Sequence, residues 1–264
     1  MNITIKRIIG ILIPHGLYNI LWKAYNKIRY FDRKLSIEIS GKKKVFIAVS
    51  SALYNRISKF GGERLQLEEF LGNIRTGDIV WDIGSYMGMY SIFSSEAVGI
   101  SGKIYSFEPE PQSYIYLKRN CELNKAYNVN IFNFALSNFS GSGKIYSSRI
   151  DSLAIHSLEY ESRLKAKGSP IQIFKGDDLI KNKMAEIPNC LKIDVEGTEI
   201  SVLEGLNNTL LYQECRFLLI EVHNKIGQTS GRKIEEVRAL IKKSGFSITN
   251  EIERGTEIHW ICNK

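Results

Sequence analysis

Residues 81–88 read Trp-Asp-Ile-Gly-Ser-Tyr-Met-Gly, an apolar run closed by an acid and two glycines. A glycine after an apolar strand lets the chain turn sharply and lets a ligand approach the backbone where a Cβ would clash. Gly84 and Ser85 could therefore meet a ligand through the turn, and Gly88 lets the next helix begin close to it. Asp82 could orient this loop or meet the cationic amino group of an amino-acid ligand. Further on, a second apolar run ends in Glu108-Pro109. An acid about 20 residues past such a turn is where ribose hydroxyls are hydrogen-bonded.

Two nucleoside cofactors compete for this arrangement. NAD expects Gly-x-Gly-x-x-Gly, with a helix N-terminus facing pyrophosphate. Here Ser, Tyr and Met stand between the glycines and an acid precedes them, which suits an ammonium and no diphosphate. S-adenosylmethionine (SAM) is the better match.

A third group lies in Lys192-Ile-Asp194-Val-Glu196-Gly-Thr-Glu199 and in Glu221-Val-His223. In open parallel sheets ligands bind beyond the carboxyl ends of the strands, so Asp194, Glu196, Glu221 and His223 should converge on one crevice. Methyl transfer from SAM needs alignment of the partners and, where the acceptor is a hydroxyl, removal of its proton. His223 could be the base, or Asp194 or Glu196 could be. Alternatively Asp194 and Glu221 could hold a divalent cation such as Mg²⁺ that acidifies the hydroxyl. His223 reads equally well as a hydrogen-bonded histidine at a strand end, and Glu199 as a structural carboxylate in a helix's first turn.

The elements that would position these groups alternate. Strands are expected near 79–83, 103–107, 129–133, 190–195 and 217–222, with helices near 87–98, 111–124, 198–206 and 232–244. Two closing strands near 246–250 and 257–262 should pair as an antiparallel hairpin. Short apolar strands between helices specify an α/β fold with a mostly parallel sheet covered on both faces. Residues 35–75 read as a hairpin and a helix leading into a core domain at 76–264, and 140–175 as an insertion over the site.

Four ordered blocks carry a family resemblance: GDIVWDIGSYMGMYS at 77–91, FEPEP at 107–111, NFALS at 133–137 and LKIDVEGTEISVLEG at 191–205. A looser fifth, LIEVHN, follows at 219–224. In this order and spacing they resemble the FkbM-type methyltransferases. The resemblance implies a class I methyltransferase (Rossmann-like) fold, a seven-stranded sheet, SAM as donor and oxygen as the usual acceptor atom. Carried over by position, the cofactor contacts would be Asp82, Gly84, Ser85, Gly88, Glu108 and the turn Asn133–Ala135, beside adenine. The family's usual Ala-Asn is Ser85-Tyr86 here, which leaves any side-chain contact from position 86 open.

Charge is unevenly placed. Residues 1–44 hold ten basic and two acidic side chains, which accounts for the whole net charge of +8 and leaves the body neutral. A neutral body argues against nucleic acid as a partner. Residues 1–34 combine that charge with Ile, Leu, Trp and Tyr, interrupted by Pro14 and Gly16. They read as a basic amphipathic extension that would either pack on the domain or lie on anionic lipid. The four cysteines are dispersed in apolar segments, as buried reduced thiols of a cytoplasmic protein would be. The family resemblance implies O-methylation of sugars or secondary metabolites, and taken with the basic segment it points to a sugar in a glycan or glycolipid precursor at the inner membrane face. A soluble secondary metabolite as acceptor, or a non-catalytic protein on the same fold, are the competing readings.

Overall fold

The computed structural model describes residues 33–147, 156–157, 168–223, 230–255 and 257–264. The expectations for residues 1–32, and for residues 148–155 and 158–167 of the insertion, fall outside them. The chain opens with an antiparallel hairpin, β1 (Arg33–Ile39) and β2 (Lys42–Ala48), followed by α1 (Ser51–Ser58) and α2 (Arg64–Gly72). Ser50 caps α1 by accepting from the Leu53 amide at 3.1 Å.

The central sheet is built from β3 (Ile79–Ile83), β4 (Lys103–Phe107), β5 (Val129–Phe132), β10 (Cys190–Ile193), β11 (Phe217–His223), β12 (Ser247–Arg254) and β13 (Glu257–Asn263). Its spatial order is β12-β13-β11-β10-β3-β4-β5, parallel except for the β12–β13 hairpin, whose inner strand runs antiparallel to β11. The helices α3 (Met89–Ala97), α4 (Pro111–Leu123), α6 (Glu199–Gly205) and α7 (Ser230–Lys243) connect and cover it. This is the class I methyltransferase architecture. Because both faces are covered, β10 and β11 are buried along their whole length, including Lys192, Glu221 and His223. Strand order reverses between β3 and β10, so a crevice opens at their carboxyl ends.

Three features depart from the sequence reading. Helix α1 was not anticipated. Strand β10 ends at Ile193, which leaves Asp194 and Val195 in the crevice wall rather than in the sheet. Residues 135–175 build a second, four-stranded sheet from β6 (Ala135–Ser137), β7 (Gly141–Ser147), β8 (His156–Ser157) and β9 (Ser169–Lys175), ordered β6-β9-β7-β8. A short helix, α5 (Gly176–Lys181), leads back to β10.

The opening hairpin shares the main core. Ile37, Ile39, Phe46, Leu53 and Ile57 form one buried cluster with Ile92, Phe93, Leu219 and Ile261. Side chains of α4 also occupy the edge of β2. Asn120 Oδ1 accepts from the Ile47 amide at 2.9 Å, and Asn124 Oδ1 from the Val45 amide at 2.8 Å. An otherwise open strand edge is closed by two amides. All four cysteines are free and buried, and burial pushes their pKa values to about 12. Among the described residues, no helix is long and apolar enough to cross a membrane.

Candidate active site

The crevice holds two adjoining cavities, of about 720 and 410 Å³, which share Arg56, Gly84, Tyr86 and Asp194. The turn after β3 forms their floor. Gly84 sits at φ 80°, and a Cβ there would lie 1.8 Å from the Asp194 carbonyl oxygen. The ends of β3 and β10 therefore approach this closely only around glycine. Gly88, at φ 86°, begins α3, and a Cβ there would meet Leu117 Cδ1 at 2.3 Å. It fixes how closely α3 and α4 pack, and it does not line the cavities.

Of the two roles open to Asp82, the geometry supplies the orienting one. Its side chain is 1% exposed. Oδ2 accepts from the Ser91 amide at 3.1 Å and from Ser91 Oγ at 2.5 Å, while Oδ1 lies 3.4 Å from Lys192 Nζ. Asp82 is thus absent from the cavity walls, which favours the first of the two roles read from sequence, orienting the loop. Ser85 Oγ donates to the Asp82 carbonyl at 2.6 Å, so that hydroxyl too holds the turn.

Glu108 lines the larger cavity. Its carboxylate accepts from the Tyr86 amide at 2.7 Å and the Glu110 amide at 2.8 Å, which locks the β3 and β4 turns together. Burial raises its pKa to about 7 against the opposing pull of those two amides. Asn133 acts from behind, donating to the carbonyls of Glu108 at 2.9 Å and Pro109 at 3.2 Å. Ala135 lies in the wall with Phe107, Phe134, Leu136 and Ile145, an apolar lining suited to a planar base.

The third group does converge. His223 Nδ1 lies 2.7 Å from Glu199 Oε1, and Nε2 is 3.2 Å from Glu196 Oε2 and 3.4 Å from Glu221 Oε1. Burial works against charge on His223, but the Glu199 hydrogen bond and the carboxylates of Glu196 and Asp194 outweigh it and raise the pKa to about 9. Burial, and then Asp194, raises Glu196 to about 7. Glu196 lines the cavity at φ 48°, a strained backbone region for a glutamate, whereas His223 stands behind it. Burial and Asp194 push Glu221 to about 11. Its Oε2 faces His259 Nε2 at 2.9 Å without the alignment of a hydrogen bond.

Asp194, Glu221 and His223 each offer a ligand atom, all within 4.8 Å of one another. Two carboxylates and an imidazole at that spacing could hold a divalent cation, and His223 Nε2 is buried with no hydrogen-bond partner among the described residues. Lys192 Nζ already lies 3.3 Å from Asp194 Oδ2, so a cation would share that carboxylate with an ammonium.

Several residues of the site carried no assignment from sequence. Lys192 donates to the Gly84 carbonyl at 2.8 Å and pairs with Asp82 and Asp194, which raises its pKa despite burial. A lysine inside the apolar run Cys-Leu-Lys-Ile was its signal, since a buried ammonium needs acidic partners. Glu199, 0% exposed, is more than a first-turn carboxylate: it grips His223 and pairs with Lys233 Nζ at 2.7 Å. Arg56 and Glu63 reach the cavities from α1 and from the residue before α2.

A family model described as the methyltransferase FkbM domain matches residues 82–248. The hexuronic acid methyltransferase AglP of Haloferax volcanii is 28% identical over 186 residues, covering 70% of this chain and 73% of that protein. The 31-O-demethyl-FK506 methyltransferase FkbM of Streptomyces tacrolimicus is 26% identical over 219 residues, covering 72% of this chain and 81% of that one. Among solved structures, the Methanococcus jannaschii fibrillarin pre-rRNA processing protein aligns with a TM-score of 0.52 at 11% identity. That alignment covers 87% of this chain and 82% of fibrillarin, and it bears on the fold alone.

Proposed function

The chain belongs to the FkbM methyltransferase family, and we propose that this SAM-dependent methyltransferase acts on a hydroxyl oxygen of a sugar, in a glycan or glycolipid precursor. One observation carries the reading. Glu108, the carboxylate assigned to ribose in this reading, and Glu196, whose pKa of about 7 suits proton transfer at neutral pH, line the same cleft of about 720 Å³. A sugar acceptor is supported by the relative named for hexuronic acid.

In this reading the adenosine end lies against Glu108, Gly84 and Ala135. SAM bound there would supply an activated methyl group to the acceptor oxygen and leave as the neutral thioether, with Glu196 taking the hydroxyl proton. His223, held by Glu199, sits 3.2 Å behind that carboxylate and sets its charge, and Asp194 positions the acceptor from the shared wall. The arriving sulfonium adds a fixed positive charge, which favours ionised Glu196 and opposes the proton on His223.

A divalent cation at Asp194, Glu221 and His223 is a second reading, favoured by the unpartnered Nε2 of His223. Turnover unchanged by exhaustive chelation would remove it. For the basic residues 1–34 we propose docking on an anionic membrane surface. Flotation with vesicles that ignores both anionic lipid and deletion of 1–34 would end that part.

The deciding experiment is incubation with methyl-labelled SAM and a panel of hexuronic acid glycosides, neutral glycosides and lipid-linked sugars, read by mass spectrometry. The expected product is a sugar heavier by one methylene. Transfer to a secondary-metabolite alcohol and to no glycoside would favour the competing acceptor class.

A further inference from the structure

Four charged side chains line the smaller cavity: Arg56, Glu63, Lys192 and Asp194. Lys192 and Asp194 are paired with each other, and Lys192 also donates to the Gly84 carbonyl. The other two are less committed. Among the described residues the Arg56 guanidinium makes no hydrogen bond or ion pair, and its contact is the Tyr86 ring, 5.0 Å from the centroid. Glu63 is buried, accepts no hydrogen bond among the described residues, and has Arg254 Nη1 at 3.3 Å, with Lys192 and Arg56 as further cations acting on it.

This cavity is floored by Gly84–Met87 and adjoins the one that contains Glu108. With the ribose at Glu108, the chain leading from its 5′ carbon runs over Gly84 toward the opposite charges of Arg56 and Glu63. The tail of SAM ends in an α-carboxylate and an α-ammonium. Asp82, for which the sequence left the ammonium open as one of two roles, is held by Ser91 and Lys192 and does not line this cavity.

We infer that Arg56 and Glu63 clamp the zwitterionic end of SAM, the guanidinium fork on the carboxylate and the Glu63 carboxylate on the ammonium. The inference rests on SAM occupying this crevice. Tyr86 keeps the fork in place: its backbone is at φ 50°, rare for an aromatic residue, and this puts the ring under the guanidinium. An arginine matches a carboxylate with two parallel N–H donors. Both clamp residues precede the region matched by the family model, so the segment before the core completes the cofactor site.

The test compares two ligands by isothermal titration of the full chain: S-adenosylhomocysteine, which has the amino-acid end, and 5′-methylthioadenosine, which lacks it. Arg56→Met should weaken S-adenosylhomocysteine about 10- to 100-fold, the range of a charged hydrogen-bonded contact, and leave methylthioadenosine unchanged. The unchanged ligand also reports that the variant is folded. Arg56→Lys, which keeps charge but not the fork, should fall between. Glu63→Gln should act in the same selective sense.

Equal losses for both ligands, or none, would overturn the clamp; normal S-adenosylhomocysteine binding in Glu63→Gln would remove its acidic half. If Arg56→Met keeps that affinity but raises KM for a hexuronic acid glycoside alone, the carboxylate belongs to the acceptor and the clamp is wrong. Failure of the wild type to bind either nucleoside would sink the cofactor reading itself, and the clamp with it.

Discussion

The turn after β3 and the ends of β10 and β11 face each other across one crevice, but their polar groups are in opposite states. Around the turn, Ser85 and Asn133 act on backbone carbonyls, and Asp82 and Glu108 each accept donors from the chain itself. Across the crevice, Glu196 and Glu221 each lie within 3.4 Å of His223, and all three have displaced pKa values. Groups tied to backbone donors and acceptors are held rigidly and shape a ligand's seat, whereas crowded acids and imidazoles with displaced pKa values are poised to exchange protons. On the proposed function, the first side would bind and the second react.

The sharpest way to break this contrast is at the reacting side. His223→Ala and Glu196→Gln should each lower turnover about 10²- to 10⁴-fold while leaving SAM affinity within about twofold, by single-turnover kinetics and titration. A parallel loss of affinity would mean the two sides are not separate. The next largest effect concerns the fold. Gly84→Ala should cost about 3–5 kcal/mol in denaturant unfolding, because the added Cβ meets the Asp194 carbonyl at a backbone angle that disfavours alanine. Normal stability would show that the strand ends can part.

Glu108→Ala should weaken SAM binding by about 1–3 kcal/mol through lost ribose hydrogen bonds. Its pKa of about 7 adds a sign. Ribose hydroxyls donate to the ionised form, so wild-type affinity should fall as pH drops through 7, and the alanine variant should lose that dependence. A flat wild-type profile would detach Glu108 from the ribose. The mildest change is Asn133→Ala, which removes two donors behind Glu108 and should weaken SAM by about 1 kcal/mol with turnover at saturation preserved.

Most of the sheet was legible because its strands are apolar runs punctuated by glycine or acid, as at Ile79–Gly84 and Ile104–Glu108. The convergence of Asp194, Glu196, Glu221 and His223 followed from the rule for strand ends. Two things escaped. Asp82 could be read as ligand or anchor from sequence, and only the position of Ser91 on the next helix decides it. Arg56 lies on a helix with no motif at all, and its place in the cavity depends on how the opening hairpin packs against α3 and α4.

The Gly84–Asp194 contact has an evolutionary corollary. With the donor's floor and the reactive wall fused through a missing methyl group, neither can drift without disturbing its neighbour, and the pair must be inherited as a block. Novelty in what gets methylated then has to arise at the roof, from the small accessory sheet and the α1–α2 segment, which touch the cleft without being welded to that seam.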